Sequence, residues 1–275
     1  MSSTEVKKEE SGTQHVWLIR YGATYPGLIE NVGNYDSDLA LPEGYGHAKA
    51  MGQRLASSSS QTPKHIFSDP FLRCMRTGDL IVQALNDAAT NSKPESTSPP
   101  MVSLKIEEGL TEWQVPSLLV DTEGIRTHPK TFKEHQAIFK TIDSSYVSVN
   151  PQGTDRISST VDHQPRFPET EDELHLRCKR TLTEILNQYP SDNIAIVSHA
   201  PCVQSMAMAL EGVDSPSQST VVGPWSLGGM TCFSRNGPRS PWKLECFSDT
   251  SHMPGEYAFG EKGKWSLPSF DKEKR

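Results

Sequence analysis

The 275-residue chain predicts an α/β fold built on a largely parallel sheet, and three observations lead there. Short apolar runs at 16–19, 65–68, 102–106 and 194–198 are too brief for helices and read as buried strands. Amphipathic stretches at helical spacing separate them, and strands that alternate with helices pair in parallel. Polar residues follow three of these strands closely: Arg20, Arg73 and His199. In a parallel sheet the carboxyl ends share one edge, and that edge is where ligands bind.

Taken in order, residues 1–14 are polar and charged and read as a disordered tail, without the apolar centre of a signal peptide. Residues 15–275 then read as one domain. Val16-Trp17-Leu18-Ile19 forms the first strand and breaks into Arg20-Tyr21-Gly22-Ala23-Thr24, where Gly22 lets the backbone approach an anion. A loop follows from Tyr25 to Asp38. Ala48, Met51 and Leu55 mark a helix over 43–57, with Pro42 suited to its start. After a Ser-rich loop, His65-Ile66-Phe67-Ser68 is the second strand. A helix beginning at 68–70 carries Leu72, Met75, Leu80, Ile81 and Leu85, with Arg73 in its first turn. Residues 86–101 read as a surface loop.

The third strand, 102–106, leads into Glu107-Glu108-Gly109-Leu110-Thr111-Glu112-Trp113. Residues 114–168 lack sustained periodicity apart from a short helix near 130–140, and read as an insertion covering the site. Thr170 and Glu173 spell a capping box for a helix whose apolar face is Leu174, Cys178, Leu182, Ile185 and Tyr189. Ile194 to Ser198 is the strongest buried strand and runs into His199. A helix over 201–211 follows, with Val203, Met206, Ala207 and Leu210 inward. Strands at 230–234 and 243–248 are joined by the hairpin signal Arg235-Asn236-Gly237-Pro238. The remainder, 249–275, is irregular, with Phe259 and Trp265 as apolar anchors.

A net charge of −7 with both signs interspersed leaves no basic stripe, so no nucleic acid partner is expected. No apolar run is long enough to span a bilayer, so no membrane is expected either. The five cysteines are odd in number and lack C-x-x-C pairing, which fits reduced thiols better than disulfides or a zinc site. Cys202 reads as a small buried hydrophobe rather than a nucleophile. No cofactor and no metal are expected. The expected location is the cytoplasm, with the nucleus left open.

Arg20, Tyr21, Arg73 and His199 should converge on one sheet edge. Two guanidiniums can each grip a phosphate bidentately, and a histidine between them can donate to the same dianion. Glu112, after the third strand, is the candidate proton donor, its pKa raised beside a bound phosphoester. Singly, Arg73 reads as a helix-start ion pair, Glu112 as a solvated loop acid and His199 as a satisfied polar group. Their joint placement favours a phosphate pocket. Arg126, Lys130, Lys133, Lys140 and Arg156 in the insertion read as ordinary solvated charges, with a second anionic contact as the alternative.

Three of these segments resemble motifs of the histidine phosphatase (phosphoglycerate mutase-like) superfamily. Arg20-Tyr21-Gly22-Ala23-Thr24 resembles R-H-G-x-T, and Ser68-Asp69-Pro70-Phe71-Leu72-Arg73-Cys74 resembles S-x-P-x-x-R-[CA]. Ser198-His199-Ala200 resembles the second-histidine motif. Residues 107–113 and Leu227-Gly228-Gly229-Met230-Thr231-Cys232 are similar to the branch holding the Sts (TULA) phosphatases and the phosphatase-like subunit of transcription factor IIIC. The resemblance covers about 15–248 and implies a three-layer sandwich with a mostly parallel central sheet. It also implies a phosphate pocket of Arg20, Thr24, Arg73 and His199, with Glu112 as acid. A homodimer is compatible with it.

Position 21 departs from the family, since Tyr21 stands where the nucleophilic histidine is expected. A phenol is ordinarily protonated at neutral pH and a poorer nucleophile than a neutral imidazole. A phosphotyrosine is also a more stable ester than a phosphohistidine, so turnover would stall. Three functions follow. One is a phosphatase-like protein that binds a phosphorylated small molecule or phosphoprotein, with hydrolysis weak or rerouted through Tyr21 or His199. Another is a pseudophosphatase acting as a binding or scaffold protein. The third is a different enzyme that reuses the pocket for another anion.

Overall fold

The computed structural model describes residues 12–24, 36–91, 101–121, 123–150, 166–214 and 218–254. A six-stranded sheet in the order β3-β2-β4-β1-β5-β6 forms the centre. Its strands are β1 (Thr13–Arg20), β2 (His65–Ser68), β3 (Leu104–Ile106), β4 (Ile194–Ser198), β5 (Met230–Asn236) and β6 (Lys243–Asp249). β1 pairs with β4, β4 with β2 and β2 with β3 in parallel, while β5 and β6 add an antiparallel end.

Successive residues of the central strands serve opposite faces, so each strand contributes to two cores. Val16, Leu18, Ile194 and Ile196 pack with Leu174, Cys178, Leu182 and Ile185 of α5 (Glu171–Gln188). Val203, Met206 and Leu210 of α6 (Ala200–Glu211) join the same cluster. Trp17, Ile19, Ala195 and Val197 face the other way, onto Ala48, Met51 and Leu55 of α1 (Glu43–Ala56). Met75, Ile81 and Leu85 of α2 (Leu72–Asn91) complete that second core. Helices on both faces make a three-layer α/β sandwich, as the strand and helix alternation predicts.

Several boundaries differ from the sequence expectation, each for a local reason. Thr13 and Gln14, assigned to the tail, begin β1, and Gln14 Nε2 donates to the carbonyls of Tyr189 and Asp192 at 2.7 Å each. Leu72 opens α2, two to four residues later than expected, because Asp69 makes a turn whose carboxylate accepts from Phe71 N at 2.6 Å. At its other end α2 runs through Asn91 instead of stopping near Asn86. Ala88 and Ala89 favour continuation, and Asn86 turns its amide to Val102 rather than capping the helix. The expected third strand is trimmed to Leu104–Ile106.

The segment after residue 114 is not an open excursion. It contains α3 (Pro116–Leu119) and α4 (Phe132–Ile138), the second with its own Thr131 and Glu134 capping box. Beyond α4 the chain runs beside β3, where Leu104 bonds Thr141 and Asp143 and bridges Ile142. Phe139 and Tyr146 enter the two cores. The stretch from Phe139 to Asp143 lines the β3 edge of the sheet. The loop at 25–35, Arg156, Phe259 and Trp265 lie outside the described residues. Among the described residues no helix is long and apolar enough to cross a membrane.

Candidate active site

The parallel strands deliver their carboxyl ends to one edge. Arg20 is the last residue of β1, His199 is the N-cap of α6 directly after β4, and Arg73 lies in the first turn of α2. Backbone bonds tie these ends together: Tyr21 N donates to Ser198 O at 3.3 Å, and Asp69 N to Val197 O at 3.0 Å.

His199 sits at the centre, 1 % exposed. Its Nδ1 lies 2.6 Å from Glu112 Oε2, and its Nε2 lies 3.2 Å from Asp69 Oδ2. The second contact is one of charge rather than an aligned hydrogen bond, since Asp69 Oδ2 has no hydrogen-bond partner. Burial opposes charge on this imidazole, but the neighbouring Cys74, Glu112 and Asp69 outweigh it and hold its pKa well above the ordinary value. The ring thus lies between Glu112 and Asp69, with Cys74 Sγ also 3.5 Å from Nε2.

Arg73 Nη2 approaches Glu112 Oε2 at 3.5 Å and His199 Nδ1 at 3.3 Å. Two cationic groups come this close because the Glu112 carboxylate bridges them. Glu112, the candidate proton donor, is buried between these two groups rather than solvated on its loop. Burial does push the carboxyl up, but His199 and Arg73 outweigh it and hold it below the usual range. Trp113 N donates to Oε1 at 2.9 Å, completing its partners.

Tyr21 occupies the middle of this group. Its ring centroid is 5.2 Å from that of His199 in an edge arrangement, 5.1 Å from Arg73 Cζ and 5.6 Å from Arg20 Cζ. Arg20 commits Nη1 to Trp225 O at 2.6 Å. Gly22 is required for a reason other than the one expected: a Cβ there would lie 2.7 Å from Gly44 O, so the close approach is to α1. Its N–H goes to Thr77 Oγ1 at 3.1 Å. Thr24 is buried and bridges Leu39, and its described contacts do not join it to Tyr21, Arg73, His199 or Glu112.

Sequence reasoning missed the groups that hold the site in place. Asp69 follows β2 directly, and the strand-end logic that picked Arg20 and His199 applies to it equally. The Glu112 loop is clamped from behind by a buried ion pair, with Arg177 Nε 2.7 Å from Glu169 Oε1. Arg177 Nη1 also donates to the carbonyls of Gly109 and Thr111 at 2.9 and 2.8 Å. No local pattern marks that pair in the sequence, because its carbonyl partners lie on a distant loop. Cys202 is fully buried and its Sγ donates to Thr111 O at 3.2 Å, a packing role.

Asp69, Cys74 and His199 each bring a donor atom within 4.8 Å of the others, a spacing a metal ion could use. Burial pushes the Cys74 thiol up to about 11, away from the thiolate a metal needs. The arrangement is suited instead to an oxyanion held by guanidinium and imidazolium.

A three-layer α/β sandwich with two arginines, a histidine and an acid at the carboxyl edge of its sheet defines a phosphoglycerate mutase-like domain. The chain belongs to the histidine phosphatase superfamily (branch 1), whose family model matches residues 16–227. It is 26 % identical over 205 residues to the transcription factor tau 55 kDa subunit of Saccharomyces cerevisiae, covering 71 % of this chain and 38 % of that protein. The chain thus matches well under half the length of this relative. Its fold is similar to that of the ecdysone phosphate phosphatase from Bombix mori in complex with tungstate, with TM-score 0.54 and 17 % identity. That match covers 88 % of this chain and 93 % of the other. A mycobacterial glucosyl-3-phosphoglycerate phosphatase is similar at TM-score 0.52 and 16 % identity, covering 86 % and 100 %.

Proposed function

We propose that this chain is a phosphate-ester-binding member of the superfamily in which hydrolysis through a phosphohistidine has been lost. The observation that carries this reading is Tyr21, whose ring stands among Arg20, Arg73 and His199 where the superfamily motif has its nucleophile. Rerouting through His199 is disfavoured, because Nδ1 is held by Glu112 and Nε2 is enclosed by Asp69 and Cys74. An anion gripped by Arg73 and His199 shares them with Glu112 or displaces its carboxyl. The ligand is a phosphorylated small molecule or a phosphoprotein.

The test compares wild type and Tyr21→His with a general aryl phosphate. The wild type should stay near background, and Tyr21→His should raise turnover by about a hundredfold or more, the span a competent nucleophile or base supplies. Brisk wild-type turnover that Tyr21→Phe abolishes would make Tyr21 a working catalytic group and sink the proposal.

A second reading is favoured by the 26 % identity to a transcription factor subunit: the domain works as a protein-binding part of such an assembly in the nucleus. Fluorescent tagging of the full chain should then give nuclear signal. An exclusively cytoplasmic distribution would remove that reading and leave the first untouched.

A further inference from the structure

A buried amide interrupts the apolar inner face of α6. Val203, Met206, Ala207 and Leu210 pack into the core, and Gln204 lies among them, equally buried. An amide withdrawn from water is costly unless its two ends are bonded, and here both ends are bonded to one segment. Gln204 Nε2 donates to Val221 O at 2.6 Å, and Gln204 Oε1 accepts from Trp225 Nε1 at 2.7 Å. An indole nitrogen only donates and a carbonyl only accepts, so this orientation of the amide satisfies both.

The residue that Gln204 holds is the one that holds Arg20. Arg20 Nη1 donates to Trp225 O at 2.6 Å. Trp225 is fully buried, with its ring set edge-on to Phe247 at 5.0 Å between centroids, so its carbonyl follows where the indole is fixed. A guanidinium is a rigid planar fork, and fixing one nitrogen fixes the direction in which the others point. Gln204 thereby sets the plane that Arg20 presents to an anion. The backbone at this corner is held separately, since Tyr21 N donates to Ser198 O at 3.3 Å and Gly228 N to Tyr21 O at 2.8 Å. Loss of the amide should therefore release the guanidinium and leave the end of β1 in place.

We propose that Gln204 is a positioning residue of the anion site, acting on Arg20 through Trp225. His199 is the N-cap of α6 and Gln204 lies in its second turn, so one helix sets two cations that arrive on different strands. The inference rests on the proposed anion-binding function and adds a residue that the strand-end motifs do not contain.

Calorimetry of tungstate binding to the full chain tests it, with each variant checked for folding by circular dichroism. Gln204→Met keeps the side-chain length and removes both bonds, whereas Trp225→Phe keeps an aromatic ring and removes the indole N–H. Each should weaken tungstate binding about tenfold, and the two together should weaken it no further, because they cut the same link. In an Arg20→Ala background Gln204→Met should cost less than about twofold, and in an Arg73→Ala background the loss should stay at about tenfold. Equal losses in the two backgrounds would mark a general loosening of the core and overturn the inference. Unchanged affinity in both single variants would overturn it as well. Should Gln204→Met fail to fold, Trp225→Phe carries the same comparison in both backgrounds. Wild type that does not bind tungstate overturns the proposed function and the inference with it, a result distinct from binding that ignores Gln204.

Discussion

Glu107 and Glu112 lie on the same loop after β3, both buried, and their surroundings could hardly differ more. Glu107 is met by neutral donors: Tyr146 Oη and Ser148 Oγ at 2.6 Å each, Val149 N at 2.9 Å, Gly109 N at 3.0 Å and Asn150 N at 3.3 Å. Glu112 is met by an imidazolium, a guanidinium and one backbone N–H. A carboxylate surrounded by neutral donors from its own fold has no reason to exchange partners, and it stitches 146–150 to the sheet. A carboxylate held by mobile-proton and guanidinium groups can be replaced there by another anion. The same residue type thus serves structure at one position and ligand exchange at the other.

The sharpest way to break this comparison is Glu107→Ala. It orphans several buried donors together, so stability should fall by about 3 kcal/mol or more in urea unfolding. A loss below about 1 kcal/mol would show that the donors find water instead, and Glu107 would no longer be the structural partner. Arg73→Ala should do the reverse, weakening tungstate binding by about 2 kcal/mol through loss of charged hydrogen bonds. Its effect on unfolding should be smaller than that of Glu107→Ala, because Glu112 keeps His199 and Trp113 N. Equal effects on both measurements would erase the distinction.

The smallest effect is the pH dependence of stability. His199 is raised in the folded state, so its contribution is whole below its ordinary value of 6.5 and is lost as pH rises through the folded value. Glu112 is lowered, so its contribution is present above its ordinary value of 4.5 and is lost as pH falls through the folded value. Thermal melts should therefore show a plateau between these values with a decline on either side. His199→Gln should flatten the alkaline limb and Glu112→Gln the acid limb. Unchanged limbs would mean that the pair does not control the profile.

Much of the scaffold was legible because its signals are local. Ile194 to Ser198 is an uninterrupted apolar run, and Thr170 with Glu173 marks a helix start through contacts three residues apart. The hairpin at 235–238 was legible in the same way, although Arg235 and Asn236 belong to β5 rather than to the turn. The 139–150 stretch was not, because its order comes from Leu104 and Glu107 on another strand end. Nothing in its own sequence repeats at a strand or helix period.

For the site, the sequence by itself determined which residues arrive at the carboxyl edge, since strand and helix alternation sends Arg20, Arg73, Glu112 and His199 there. It also determined that an imidazole is missing at position 21. Tertiary structure alone decided how they are charged and paired. The Glu112 carboxylate bridges His199 and Arg73, and Asp69 faces the other imidazole nitrogen. Position along a strand is set by local periodicity, whereas protonation depends on charges brought within a few ångströms from β2, α2, the loop after β3 and the start of α6. That is why the sequence places Glu112 at this edge but does not show that His199 and Arg73 meet on its carboxyl.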